Sequence, residues 1–129
     1  MYKRQTLGSA SFTIVAPVKD YGNDLNNWSV GIRLTYGSNS FLMCGDAESQ
    51  AESDMLERGM PLKADVLKAG HHGSSTSTSS VFLKAVSPSY VVILVYSTTP
   101  TRRTSLFFSL FAVHPVRHNN MHPIRILLI

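Results

Sequence analysis

A single cysteine among 129 residues excludes an internal disulfide. Cys44 ends an apolar run just before Gly45, the setting of a buried free thiol. No stretch approaches the roughly 18 apolar residues that a membrane-spanning helix needs. The longest candidate, Leu106–Val113, is interrupted by Ser109. The basic start MYKRQ is followed by polar QTLGSAS, not by the apolar segment of a secretory signal. From residue 97 onward there is no Gly, Lys, Asp or Glu. The formal charge of +4 therefore lies wholly in Arg102, Arg103, Arg117 and Arg125, because the charges of residues 1–96 cancel. An excess confined to a tail gives no sign of a basic nucleic-acid groove.

What is present suits one domain with a modest core: hydrophobic content is 43% and mean hydropathy is close to zero. Alternation in Ser11–Pro17 predicts a strand stopped by Pro17, followed by the polar loop VKDYGNDLNN. Two β-rich runs, Trp28–Tyr36 and Ser40–Cys44, flank Gly37-Ser38-Asn39 and predict a hairpin with a three-residue loop. AESQAESDMLERG predicts a short helix that buries Ala47, Ala51, Met55 and Leu56 and ends at Gly59. Ala64–Ala69 reads as a strand. Ser79–Val86 reads as a second helix, with Val81, Phe82, Ala85 and Val86 inward and Pro88 as its stop. The run Tyr90–Tyr96 is apolar without alternation, as in a strand covered on both faces. Strands and helices in alternation indicate a layered α/β architecture. The segment after Tyr96 follows neither period and specifies no element.

Three residues carry the candidate chemistry. Asp46 closes a strand in CGDAE, and His71 and His72 follow another in AGHHGS. Loops at strand ends are where α/β sheets present functional groups. A carboxylate and an imidazole suit Zn²⁺ or Mn²⁺. Read locally, Asp46 is equally a helix N-cap, and the histidine pair equally ordinary loop polarity. Adjacent side chains diverge, so one histidine faces a given metal and the other lies behind it or meets substrate. His114, His118 and His122 recur every four residues, but Pro115 and Pro123 break the helix that would align them.

The stretches NNWSVGIRLTYGSNSFLMCGDAE and LKADVLKAGHHGSSTSTSSVFLKAVSPSYVVI resemble the C-terminal half of a metallo-β-lactamase-fold hydrolase. The subgroup resembled is the ComEC competence-protein type, together with its stand-alone relatives. The resemblance implies a partial αββα fold, with a mixed sheet and two short helices over residues 11–96. It implies two divalent metal ions, zinc or manganese, with Asp46 bridging them and one of His71 and His72 as a ligand. It leaves open which histidine ligates. Ser74 and the other histidine would then bind a phosphodiester, with DNA as the substrate in competence-related uptake. Such a pair of ions, about 3.5–4 Å apart, would activate a bridging water.

The family's His-x-His-x-Asp-His motif belongs upstream of these stretches, and its Gly-His-Pro element belongs downstream; neither is found here. The chain is therefore expected to be a fragment, inactive alone. Residues 1–10 are expected to be a linker or an artefactual start, and 97–129 an atypical tail, frameshifted or disordered. The parent would be a membrane protein with this domain outside the cytoplasm, or a stand-alone soluble or secreted hydrolase. The competing expectation is a truncated, non-catalytic structural or interaction module.

Overall fold

Alternating apolar residues in ASFTIVA form β2 (Ala10–Ala16), which pairs antiparallel with β1 (Arg4–Leu7) and with β3 (Gly31–Tyr36). The computed structural model describes residues 4–94, 114–116 and 124–129. β4 (Asn39–Met43) completes an antiparallel meander. The hairpin between β3 and β4 is tighter than the sequence suggested, because Tyr36 pairs with Asn39 and only Gly37 and Ser38 turn. β5 (Val66–Lys68), β6 (Tyr90–Ile93) and β8 (Ile124–Leu128) then add in parallel, and β7 (His114–Val116) lies antiparallel against β8. The sheet order is β1-β2-β3-β4-β5-β6-β8-β7. This mixed α/β architecture is consistent with a partial metallo-β-lactamase fold.

Two helices return the chain between the parallel strands. α1 (Ser49–Glu57) buries Ala51, Glu52, Asp54 and Met55, while Leu56 is only partly covered. α2 (Ser80–Val86) starts where the Ser79 side chain accepts the Phe82 N–H, and ends at Ser87 with a left-handed φ of 49° before Pro88. Its buried pair is Phe82 and Val86, one helical turn apart. Val81 and Ala85, expected inside, occupy the adjoining stripe and are exposed.

Leu42, Leu67 and Val91 stand side by side on β4, β5 and β6 and meet Phe82, Met55 and Val86 in the core. Burying each large side chain stabilises the fold by about 1.5–3 kcal/mol. The opposite sheet face is also apolar. Register sets Phe12, Leu34, Phe41, Val66 and Tyr90 in one row across it, and Ile14, Ile32, Met43, Lys68 and Val92 in the next. None of these ten residues is buried. Hence β6, expected to be covered on both faces, is covered on one: Val91 is buried while Tyr90 is exposed.

The first ten residues, read above as lying outside the domain, contain β1, which is exposed along its length. Within 97–129 the described parts join the sheet, and Ile124 reaches the core. His114 lies on a strand, so its backbone is extended; His118 and His122 lie outside the described residues. Phe107, Phe108 and Phe111 also lie outside them.

Candidate metal centre

Because β4, β5 and β6 run parallel, the loops that follow them emerge at one edge of the sheet. Asp46 follows β4, the histidine pair follows β5, and Leu94 follows β6. The first two loops are joined through their backbones: His71 N–H donates to the Gly45 carbonyl (3.2 Å) and Ser49 N–H to the Thr76 carbonyl (2.9 Å). Lys68 Nζ also reaches the Gly45 carbonyl, at 3.3 Å. Gly45 has φ +57°, and a Cβ there would lie 3.0 Å from Ser29 Cβ, so a side chain at the turn into Asp46 would be both strained and crowded.

The histidine loop is strained. His71, His72 and Gly73 have successive φ values of 42°, 53° and 81°. For non-glycine residues this left-handed conformation costs on the order of 1–3 kcal/mol each and persists only where surroundings enforce it. A buried carboxylate ties down the far end of the loop. Glu52, 2% exposed, accepts the N–H groups of Thr78 and Ser79, the latter at 2.9 Å. Ser77 Oγ donates to the Gly70 carbonyl (2.8 Å), and Gly70 N–H donates to Thr78 Oγ1 (3.0 Å).

The side chains then divide. His72 Nε2 lies 3.7 Å from Asp46 Oδ1, and both side chains are about half exposed. The other nitrogen of that ring, Nδ1, is 3.2 Å from the Leu94 carbonyl. A carbonyl only accepts, so Nδ1 carries a proton there, and Nε2 is the ring nitrogen turned toward Asp46. His71 turns the other way: its Nδ1 is 3.0 Å from Glu48 Oε1. Ser74 Oγ is engaged locally, 3.0 Å from Thr76 Oγ1. Asp46 does not cap α1, whose N-cap is Glu48. Its N–H is held by Ser29 Oγ at 3.0 Å, and its carboxylate is left for the sheet edge. A groove of about 250 Å³ opens beside the loop, bordered by Gly73, Ser74, Ile93 and Ile126, but Asp46 and His72 do not line it.

Asp46 and His72 fit two donors of one divalent ion. Bonds of about 2.0–2.2 Å place neighbouring ligand atoms roughly 3–4 Å apart, the range in which Asp46 Oδ1 and His72 Nε2 lie. Among the described residues, no group of three His, Cys, Asp or Glu side chains could hold an ion. Glu48, Glu52, Asn27 and Leu94 escaped the sequence reading. Glu48 was visible in GDAE as one more acid, but its partner lies in the next loop. Asn27, 2% exposed, accepts the N–H groups of Glu48 and Ala51 and so caps α1 from a distance.

Residues 23–97 match the family model of the metallo-beta-lactamase superfamily. Competence protein ComA of Neisseria gonorrhoeae is 39% identical over 82 residues, which are 63% of this chain and 12% of that protein. ComE operon protein 3 of Bacillus subtilis is 33% identical over 64% of this chain and 11% of its own length. Recombination protein 2 of Haemophilus influenzae is 40% identical over 64% of this chain and 10% of its own length. The chain thus spans about a tenth of the curated relatives it matches. Among the described residues, no helix is long and apolar enough to cross a membrane.

Proposed function

Because the chain belongs to the metallo-beta-lactamase superfamily, we propose that it supplies one side of the site of a metal-dependent hydrolase that cleaves phosphodiester bonds in DNA. Residues 11–96 are read as the C-terminal half of that domain. The approach of Asp46 Oδ1 to His72 Nε2, 3.7 Å apart on adjacent loops, carries the reading. Asp46 and His72 would hold metal. A pair of zinc or manganese ions, when bound, would supply an activated water and neutralise charge on the phosphate. Asp46 would contribute a carboxylate oxygen from a backbone held by Ser29. His72 would contribute Nε2, the ring nitrogen left over when Nδ1 is engaged by the Leu94 carbonyl. His71 and Ser74, on the same loop, would meet the substrate. The names of the relatives support competence-related DNA uptake as the setting.

A non-catalytic module is the second reading. It is favoured by the finding that, among the described residues, no three donor side chains group as a metal site. The two readings separate in a chimera in which residues matched to ComE operon protein 3 replace their counterpart in that protein. The hydrolase reading expects transformation that falls at least tenfold with Asp46→Ala or His72→Ala. Equal transformation with and without Asp46 would favour the module.

A further inference from the structure

We propose that Trp28 is a stacking platform for an unpaired nucleobase. The strand cleaved beside it would then be single-stranded where it crosses this edge, an inference that rests on the DNA reading given above. β3 starts at Gly31 and pairs with the end of β4, Ile32 opposite Met43, so the loop before it emerges at the edge that carries Asp46. Three of the four residues Asn26–Ser29 bond to the turn that holds Asp46 and Glu48. Asn26 Nδ2 donates to Glu48 Oε1 (3.3 Å), Asn27 Oδ1 accepts the Glu48 N–H (3.0 Å) and Ser29 Oγ accepts the Asp46 N–H (3.0 Å). Trp28 is the fourth, and it is 39% exposed.

The indole is fixed in place. Its Nε1–H donates to the Gly22 carbonyl (3.0 Å), and its ring meets Tyr21 in a T-shaped contact, centroids 6.0 Å apart at 89°. Tyr21 is buried, and Lys19 Nζ lies 5.8 Å from its ring centre while pairing with Asp54 of α1 at 2.8 Å. The loop closes its own polar groups: Asp20 accepts the Gly22 N–H (2.7 Å), and Asp24 accepts the Asn27 N–H (3.3 Å) and side-chain amide (2.6 Å). With its one polar atom committed to Gly22, Trp28 presents apolar ring surface and no free donor. Leu25 and Val30, both exposed, extend that surface on the same loop. A ring already held in this way loses little freedom on binding.

Chemistry favours a base as the occupant. Every nucleobase has a π-face, so an aromatic platform binds a strand without reading its sequence. The charges of residues 1–96 cancel, which leaves this domain no basic groove for the phosphates of a duplex. Affinity for a strand then comes from contacts to bases, with the phosphate left to the Asp46 edge. A base reaches an indole only when it is out of the stack.

Trp28 is the only tryptophan of the chain, so its emission reports this position alone. The probes are an oligothymidylate and an abasic strand of equal length and charge, each added to the full chain with Zn²⁺ present. The expected result is quenching by the oligothymidylate and none by the abasic strand. Binding of labelled oligothymidylate, followed by anisotropy, should weaken roughly tenfold in Trp28→Ala and be largely retained in Trp28→Phe. Equal binding of the two strands, or unchanged anisotropy in folded Trp28→Ala, would overturn the proposal and leave the DNA reading standing. Binding of neither strand would overturn it as well. So would a blue shift with phosphatidylcholine vesicles without quenching by the oligothymidylate, which would assign the rim to a lipid surface. If Trp28→Ala does not fold, the two strands on the unaltered chain decide the matter. Quenching by the oligothymidylate without cleavage would support the platform and count against the hydrolase reading.

Discussion

Asp46 Oδ1 and His72 Nε2 face one another at 3.7 Å from loops that leave two parallel strands at the same edge. Neither side chain is buried, and Asp46 caps no helix. Asp46→Ala and His72→Ala should therefore leave folding stability within about 0.5 kcal/mol of the unaltered chain. Urea denaturation measures this; a loss above about 2 kcal/mol would make the pair a structural contact.

Glu52 presents the opposite case. Its carboxylate is buried and serves the Thr78 and Ser79 N–H groups beside a strained loop. Glu52→Ala leaves both donors without a partner and should destabilise the chain by about 3 kcal/mol. Amide exchange at Thr78 and Ser79 should accelerate in the same variant. Stability equal to that of Asp46→Ala would remove Glu52 as the tie that holds the loop.

Cys44 is 3% exposed, and burial pushes its thiol pKa up to about 12. The folded thiol thus binds its proton more tightly than the unfolded one, whose pKa is about 8.5. The stability this confers is complete below the unfolded value and declines as pH rises toward the folded value. Alkylation at pH 8 should proceed only with global unfolding, so its rate should follow denaturant concentration. Rapid labelling of the native chain would place Cys44 at the surface.

Ile32 and Leu34 lie on the sheet face on which none of the ten centrally paired residues is buried. Contiguous apolar surface of this kind binds partners or self-associates. Ile32→Lys with Leu34→Lys should reduce binding of a hydrophobic dye and sedimentation of oligomers. Undiminished dye binding would show that another surface is responsible.

Periodicity revealed the central elements because each buries one face: ASFTIVA alternates, and Ala47, Ala51 and Met55 repeat at helical spacing. The same argument misled at Tyr90–Tyr96, where both faces are apolar but the helices cover only one. It gave nothing for Ile124–Leu128, whose apolar run has no period and whose strand is set by pairing to β6. At the site, Asp46 and His72 were legible as residue types at strand ends. Glu48 was not, because its role comes from a contact with His71 in the next loop and from Asn27 having taken over the cap.

Addition of Mn²⁺ to the ¹⁵N-labelled chain tests most directly whether Asp46 and His72 are metal donors. Two donors bind weakly, and paramagnetic broadening reports even a weakly held ion close to the nuclei it touches. The account predicts that signals of Asp46, His72 and their immediate neighbours broaden first, and that Asp46→Ala abolishes this selectivity. Broadening that begins elsewhere, or persists at His72 without Asp46, would contradict it.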